Sequence, residues 1–509
     1  MPDPRLAGGA DAGDSSRVKR SLVVLLAVVL GLGAGCGSDD ETDGPTLGCK
    51  TFAQGLTFQS SADFAPATAG TLAGWNPDGR WFLVGAPQIG AASVLLQRSG
   101  DQVIVDRNTA ASGRIDDTEI FSRYVATSGD ARVILATRIS NLRPDGTARL
   151  ERGQCVDDRC ALCTAQLIPA THNAGEGEGQ GISLLSQLRD PGWGPGYTFN
   201  VRVSGTLAYL IRQDGLHIIE TADPAHPVEL GLYRRGTPGY SNDVKLVDAG
   251  AKRYALIADT PVDVVDVTDP AAPQLVAEIP IGAHTVFTET RAGATRAYFG
   301  GYDGTCPVYD VTDPAVPRLL GSFNAGASLV HDLSVLDGIA YLNSWEQGFL
   351  MVDYTNPVLP RLVGRWSPTP IGRSHSNWTT TAGGRRIALH GEEGYGAELT
   401  VVDVDPASRE FMRPIARWGT RQFLSIHNIM AFGTKSYLTY YQDGVRVLDV
   451  SDPLHPAQTG YYNTWDPAAD YATGAFFESA VGLDVDQARK LIFVADSPRG
   501  LLILRDDTP

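Results

Sequence analysis

Four of the nine histidines share one kind of position. His284, His331, His375 and His427 each stand just before or at the entry to an apolar, strand-like run. Imidazole nitrogens are good ligands for Zn, Cu, Fe or Ni, and nearby carboxylates can complete such a sphere. Catalysis at such a metal would need an open coordination position. Turns further along the same units carry Tyr302, Trp345, His390, Glu392, Glu393, Tyr441, Asp443 and Asp496. These are the candidate ligand contacts. A structural role competes with the metal role: polar residues at strand entries bond neighbouring backbone in a crowded interior, and duplication alone places His at equivalent positions. His172, His217, His226 and His455 fall in loops or on strand faces and read as solvated. The chain has no Gly-x-Ser-x-Gly elbow, His-Glu-x-x-His, P-loop or dinucleotide fingerprint.

The elements that position these residues repeat with a period near 45. An Asp-Pro step (once Asn-Pro) follows an apolar run at Asp223-Pro224, Asp269-Pro270, Asp313-Pro314, Asn356-Pro357, Asp405-Pro406 and Asp452-Pro453. A second proline follows three residues on at Pro227, Pro273, Pro317, Pro360 and Pro456. Asp at a turn start can accept a hydrogen bond from the backbone two residues on, and Pro presets φ for the next position. The second proline lacks a donor, so the strand it opens is expected at an outer edge. Upstream, each unit shows a hairpin. In one, Asp337-Gly338 separates two apolar runs, a strong turn signal. Four antiparallel strands per 40–50 residues are the pattern of a β-propeller. The expected fold is therefore all-β, a seven-bladed β-propeller over residues 166–509, with six or eight blades as alternatives. The last unit has only three strands. Ile182–Leu185 or Ala165–Ile168 is expected to supply its fourth. Blade five departs from the pattern, because Asp403-Val404-Asp405-Pro406 is one residue short and lacks the second proline.

Residues 48–165 lack the marker and read as a small β-rich N-terminal module. Cys49, Cys155, Cys160 and Cys163 lie in it. Two disulfides among them, or a Zn site, satisfy that set. Cys306 stands apart and reads as a lone buried thiol. Before the module, Arg17, Lys19 and Arg20 precede an apolar run from Leu22 to Leu32, then Gly33-Ala34-Gly35. That is the pattern of a secretory signal over residues 1–35. The acidic stretch 36–47 reads as a solvated tether.

The formal net charge of −16 argues against a nucleic-acid partner, since phosphates would be repelled. Cys36 after small residues resembles the lipobox of bacterial lipoproteins, which implies acylation of Cys36 and attachment to a membrane. The runs Val264-Val265-Asp266-Val267-Thr268-Asp269-Pro270 and Val447-Leu448-Asp449-Val450-Ser451-Asp452-Pro453 resemble the LVIVD repeat of exported bacterial β-propellers. The chain is similar also to choice-of-anchor B surface proteins. The resemblance spans about residues 195–505 and implies fold and location rather than a reaction. The expected protein is a monomer of the outer membrane, cell surface or periplasm that binds a protein or glycan through its channel mouth. The alternative is a Cu-, Zn- or Fe-dependent enzyme, an oxidoreductase among the options, with one transition metal in the His ring.

Overall fold

A computed structural model describes residues 48–52, 57–64, 71–85, 91–107, 112–128, 131–157, 159–193, 196–235, 241–367 and 373–509. Cys36, the apolar run before it and the acidic tether lie outside them. Among the described residues, no helix is long and apolar enough to cross a membrane. The chain divides into two compact units, Met1–Ala170 and Thr171–Pro509.

The first unit is one sheet with nine strands among the described residues. Strand Arg159–Pro169 organises it. One edge pairs with Ala148–Val156; the other is shared by Gly48–Phe52 and Gly79–Val84. The sheet curls until its end strands Gln102–Val105 and Ser112–Ile115 approach, so that Ile115 N–H donates to Asp101 O at 3.0 Å. The result is a nearly closed barrel filled by Leu83, Val94, Leu96, Ile139, Leu150 and Leu167. Cys49 bonds Cys163, and Cys155 bonds Cys160. Both pairs face each other in register on adjacent strands. All four thiols are consumed, which removes the Zn alternative. The boundary expected at 165/166 falls inside Arg159–Pro169; the unit ends only where that strand does.

The second unit is a seven-bladed β-propeller. The blades span 198–233, 243–279, 283–324, 330–366, 374–418, 429–462 and 480–506. The repeated acids build its turns. Asp266, Asp310, Asp353 and Asp449 each accept from the N–H two residues on, at 2.8–3.0 Å. The marker residues Asp269, Asp313 and Asp452 do the same one turn later, at 3.0–3.1 Å. This is capping, one acid per turn. The turns at Pro270 and Pro357 pack on the preceding blade. A Cβ at Gly321 would stand 2.1 Å from Pro357 O, and one at Gly231 would stand 2.2 Å from Pro270 O. Glycine is needed there for close approach of backbone. Blade five keeps its four strands by another device. Ser408 O–H donates to Asp403 Oδ2 at 2.8 Å, and Phe411 and Met412 pack over Gly364 in place of a proline turn.

The last blade has strands Ala480–Asp486, Leu491–Asp496 and Gly500–Asp506. Its outer strand is Ile182–Leu188, from the start of the unit. The other candidate, Ala165–Ile168, is committed to the first unit. Cys306 is fully buried, and burial pushes its thiol up to about 12.

Candidate functional site

The innermost strand of each blade starts at one end of the central channel. In blades three, four and five its pairing skips one residue at the entry. The register jumps from Ala283 to Thr285, from Val330 to Asp332 and from Ser374 to Ser376. The skipped residue is a histidine each time. A bulge leaves one residue outside the ladder and re-aims its side chain. In blade six His427 lies just ahead of Ile429–Phe432, and in blade seven Val481 is the skipped residue. The four rings form an arc, with successive centroids 3.9, 4.1 and 4.4 Å apart from His284 through His331 and His375 to His427.

The next blade orients the first and last rings of the arc. His284 Nδ1 lies 3.0 Å from His331 O, and His427 Nδ1 lies 2.6 Å from Val481 O. The carbonyls of His375 and His427 face His331 and His375 in the same way, but outside hydrogen-bonding geometry. Glu393, in the turn after Arg385–Glu392, reaches into the arc. Its Oε1 is 3.8 Å from both His375 Nε2 and His427 Nε2. The same oxygen accepts from the Tyr441 hydroxyl.

Burial sets the charge of this group. It lowers His284 and His427 to about 4 and holds His331 and His375 well below the usual imidazole range, helped by the neighbouring rings. All four imidazoles are neutral at pH 7. Burial also raises Glu393 to about 7, against the Tyr441 hydrogen bond and the Arg373 charge. Farther along the channel a second polar layer is internally paired. Lys245 Nζ and Arg202 Nη2 reach Asp243 at 2.7 and 3.2 Å, and Thr285 bridges Asp243 to Asp332.

Aromatic rings rim the arc. Trp345 stacks on His331, with centroids 4.8 Å apart and planes at 18°. Tyr302 meets His284 edge-on at 5.8 Å and is 41% exposed. Sequence reading missed three further rings. Tyr395 and Phe476 lie 4.8 Å apart, Phe476 touches both Tyr441 and Phe477, and Phe477 is 55% exposed. These residues sit on turns and on the long connection before blade seven, where no repeat phase marks them.

Several expected ligand contacts are not at the surface. Tyr441 is buried and holds Glu393. Asp443 is buried in an ion pair with Arg421, beside buried Arg446 at 3.9 Å. Glu392 is half-buried, and burial raises its carboxyl. Asp496 is buried, accepting from Ser479 and from Arg499 N–H. His390 does not join the arc. It is fully buried between Phe349 and Trp366, with Nε2 2.9 Å from Ser374 Oγ. His217, expected in solvent, is also fully buried, between Asp214 at 3.0 Å and Glu229 at 2.7 Å and against Trp193. His226 and His455 are surface residues, as expected.

His390 gives a pH test of these placements. Burial alone lowers it to about 3, against about 6.5 in an unfolded chain. Between those values the unfolded state binds the extra proton. Its contribution is therefore fully present above about pH 6.5 and falls by roughly 1.4 kcal/mol per unit as pH drops. His390→Gln is expected to melt higher relative to the parent at pH 5 than at pH 7.5. Parallel melting curves at the two pH values would contradict the burial.

LVIVD repeats match residues 195–234, 238–279, 329–367 and 433–464, which correspond to blades one, two, four and six. No curated protein matches the chain. Among solved structures, the computationally designed Ika8 protein is similar at 12% identity and a TM-score of 0.41, covering 74% of this chain and 94% of that one. Raptor of Chaetomium thermophilum is similar at 12% identity and a TM-score of 0.46, covering 60% of this chain and 27% of that one. LVIVD repeats on a propeller fit a binding or scaffold role, and disulfides of this kind are typical of extracellular and envelope proteins.

Proposed function

We propose that this protein is exported, lipid-anchored through Cys36, and binds a glycan at the cell envelope through the channel-mouth face of its propeller. One observation carries the binding reading. Tyr302, Trp345, Tyr395 and Phe477 come from four different connections and surround a single channel entrance, and two of them are largely exposed. Flat apolar rings interspersed with polar groups suit a concave binding site, and sugar rings present a matching alternation of apolar faces and hydroxyls. Two disulfides and the signal-like leader support the location.

The test is a glycan array probed with the full chain and with Tyr302→Ala/Phe477→Ala. The expected result is a defined set of bound glycans whose signal falls at least tenfold in the double variant. Binding unaffected by the rim changes, or no glycan bound, would overturn the reading. Metabolic labelling with a fatty-acid analogue, lost in Cys36→Ser, tests the anchor separately.

A further inference from the structure

The deepest part of the mouth holds polar atoms that the fold leaves unused. His375 is 1% exposed and His331 is also buried, yet His375 Nδ1 and Nε2 and His331 Nδ1 make no hydrogen bond of good geometry, the carbonyl of the next histidine being the nearest approach. Burying such groups unpaired is costly, and native structures normally satisfy them. One donor atom each from His331, His375 and Glu393 lies within 4.8 Å of the others. His427 Nε2 adds a fourth, 3.8 Å from Glu393 Oε1. Two ligands of one tetrahedral Zn ion, each at about 2.0–2.2 Å, stand about 3.3–3.6 Å apart. The 3.8 Å from Glu393 to His375 and to His427 is near that, and the widest separation within His331, His375 and Glu393 must close by about 1 Å.

We propose that His331, His375, His427 and Glu393 form a transition-metal site at the base of the propeller mouth, suited to Zn²⁺ or Cu²⁺. Three imidazoles and one carboxylate are the donor set those ions take. The outer contacts are those of a built site. The Val481 carbonyl fixes the His427 ring through Nδ1 and leaves Nε2 for the ion, while the Tyr441 hydroxyl holds the carboxylate. Such partners orient ligands and raise affinity. Trp345 stacked on His331 walls one side. His284 extends the arc beyond His331 and is not one of the four ligands. The half-buried state of His284 and His427 leaves the ion a path from solvent. This inference rests on the mouth being the binding face, and it gives that face a fixed cation beneath the aromatic rim.

The experiment is titration of the full chain, purified without a histidine tag and stripped with chelator, with Zn²⁺ alone and with Cu²⁺ alone. The chelator is removed first, and binding is followed by calorimetry and elemental analysis. One equivalent is expected. Co²⁺ in place of Zn²⁺ should give the visible absorption of a four- or five-coordinate N/O site. Glu393→Gln and His375→Ala are each expected to weaken binding by about 100-fold or more, beyond the 10–100-fold that loss of an outer partner costs. His284→Phe should keep one equivalent. Surface binding at His226 or His455 would persist in all three variants and would count against the site. Glu393→Gln preserves shape, so it separates ligand loss from misfolding; its metal-free melting curve should match the parent's. Less than about a tenth of an equivalent, or full binding in Glu393→Gln, overturns the site. Glycan binding that survives without metal would show the rim reading intact, so the two failures are distinguishable.

Discussion

Replacing Ile182–Leu188 with an equal length of Gly and Ser is expected to destroy cooperative unfolding of the propeller and to drive aggregation. This strand carries the start of the second unit into the sheet of its last blade. It pairs Ile182 with Asp506, Leu184 with Leu504, Ser186 with Ile503 and Leu188 with Leu501. Its side chains serve both faces. Ile182 and Leu184 pack with Leu502 and Leu504, while Leu185 and Leu188 pack with Leu501, Ile503 and Trp193. Just before it, Gly179–Gln180 adds a fifth strand to blade six. The segment therefore clips blades six and seven from outside. Several net hydrogen bonds at about 1 kcal/mol each, with one buried and three partly buried aliphatic side chains at roughly 1 kcal/mol or more each, give a loss on the order of 5–10 kcal/mol. That is comparable to the whole stability of many domains. The replacement also leaves Leu501-Leu502-Ile503-Leu504 on an open edge, a template for pairing between molecules. Urea unfolding followed by circular dichroism, with size-exclusion chromatography, measures both effects. A monomer with an unchanged midpoint would show that the ring does not depend on this strand.

The need for closure was legible because the final unit shows only three strands. Two upstream apolar runs, Ile182–Leu185 and Ala165–Ile168, could answer it, and the structure takes the first. The bulged histidines were legible for a related reason: the repeat carries a phase, and His284, His331, His375 and His427 share it. What failed was exposure. Tyr441 and Asp443 lie at a turn, and a turn reads as surface. Yet Glu393 is 48 residues from Tyr441, and Glu176 reaches the adjoining Arg446 across 270. His217 is buried by the same kind of partnership, with Trp193 and Glu229. A single sequence does not announce which long-range partners will cover a polar side chain. The rim rings Tyr395, Phe476 and Phe477 escaped notice for the opposite reason, since they lie where the repeat is interrupted.

The two disulfides of the first unit are expected to differ sharply in weight. Cys49–Cys163 closes 114 residues, whereas Cys155–Cys160 closes 5. In the chain-entropy picture a cross-link restricts the unfolded state in proportion to the logarithm of the loop it closes. That gives about 5 kcal/mol for the long loop and about 2 kcal/mol for the short one. The structure amplifies the contrast. Cys155 and Cys160 face each other near the tip of a hairpin whose two strands already pair from Ala148↔Leu167 to Val156↔Arg159. Among the described residues, Gly48–Phe52 by contrast pairs with Arg159–Pro169 alone. Without its bond to Cys163, nothing covalent nearby keeps that strand in register. Calorimetry of the full chain should resolve the effect. Cys49→Ala/Cys163→Ala is expected to lower the transition of the first unit by at least twice as much as Cys155→Ala/Cys160→Ala, with the propeller transition unmoved by either. Equal shifts would mean that hairpin strain or residual structure, rather than loop closure, governs this barrel. A shift of the propeller transition would mean that the two units do not unfold independently.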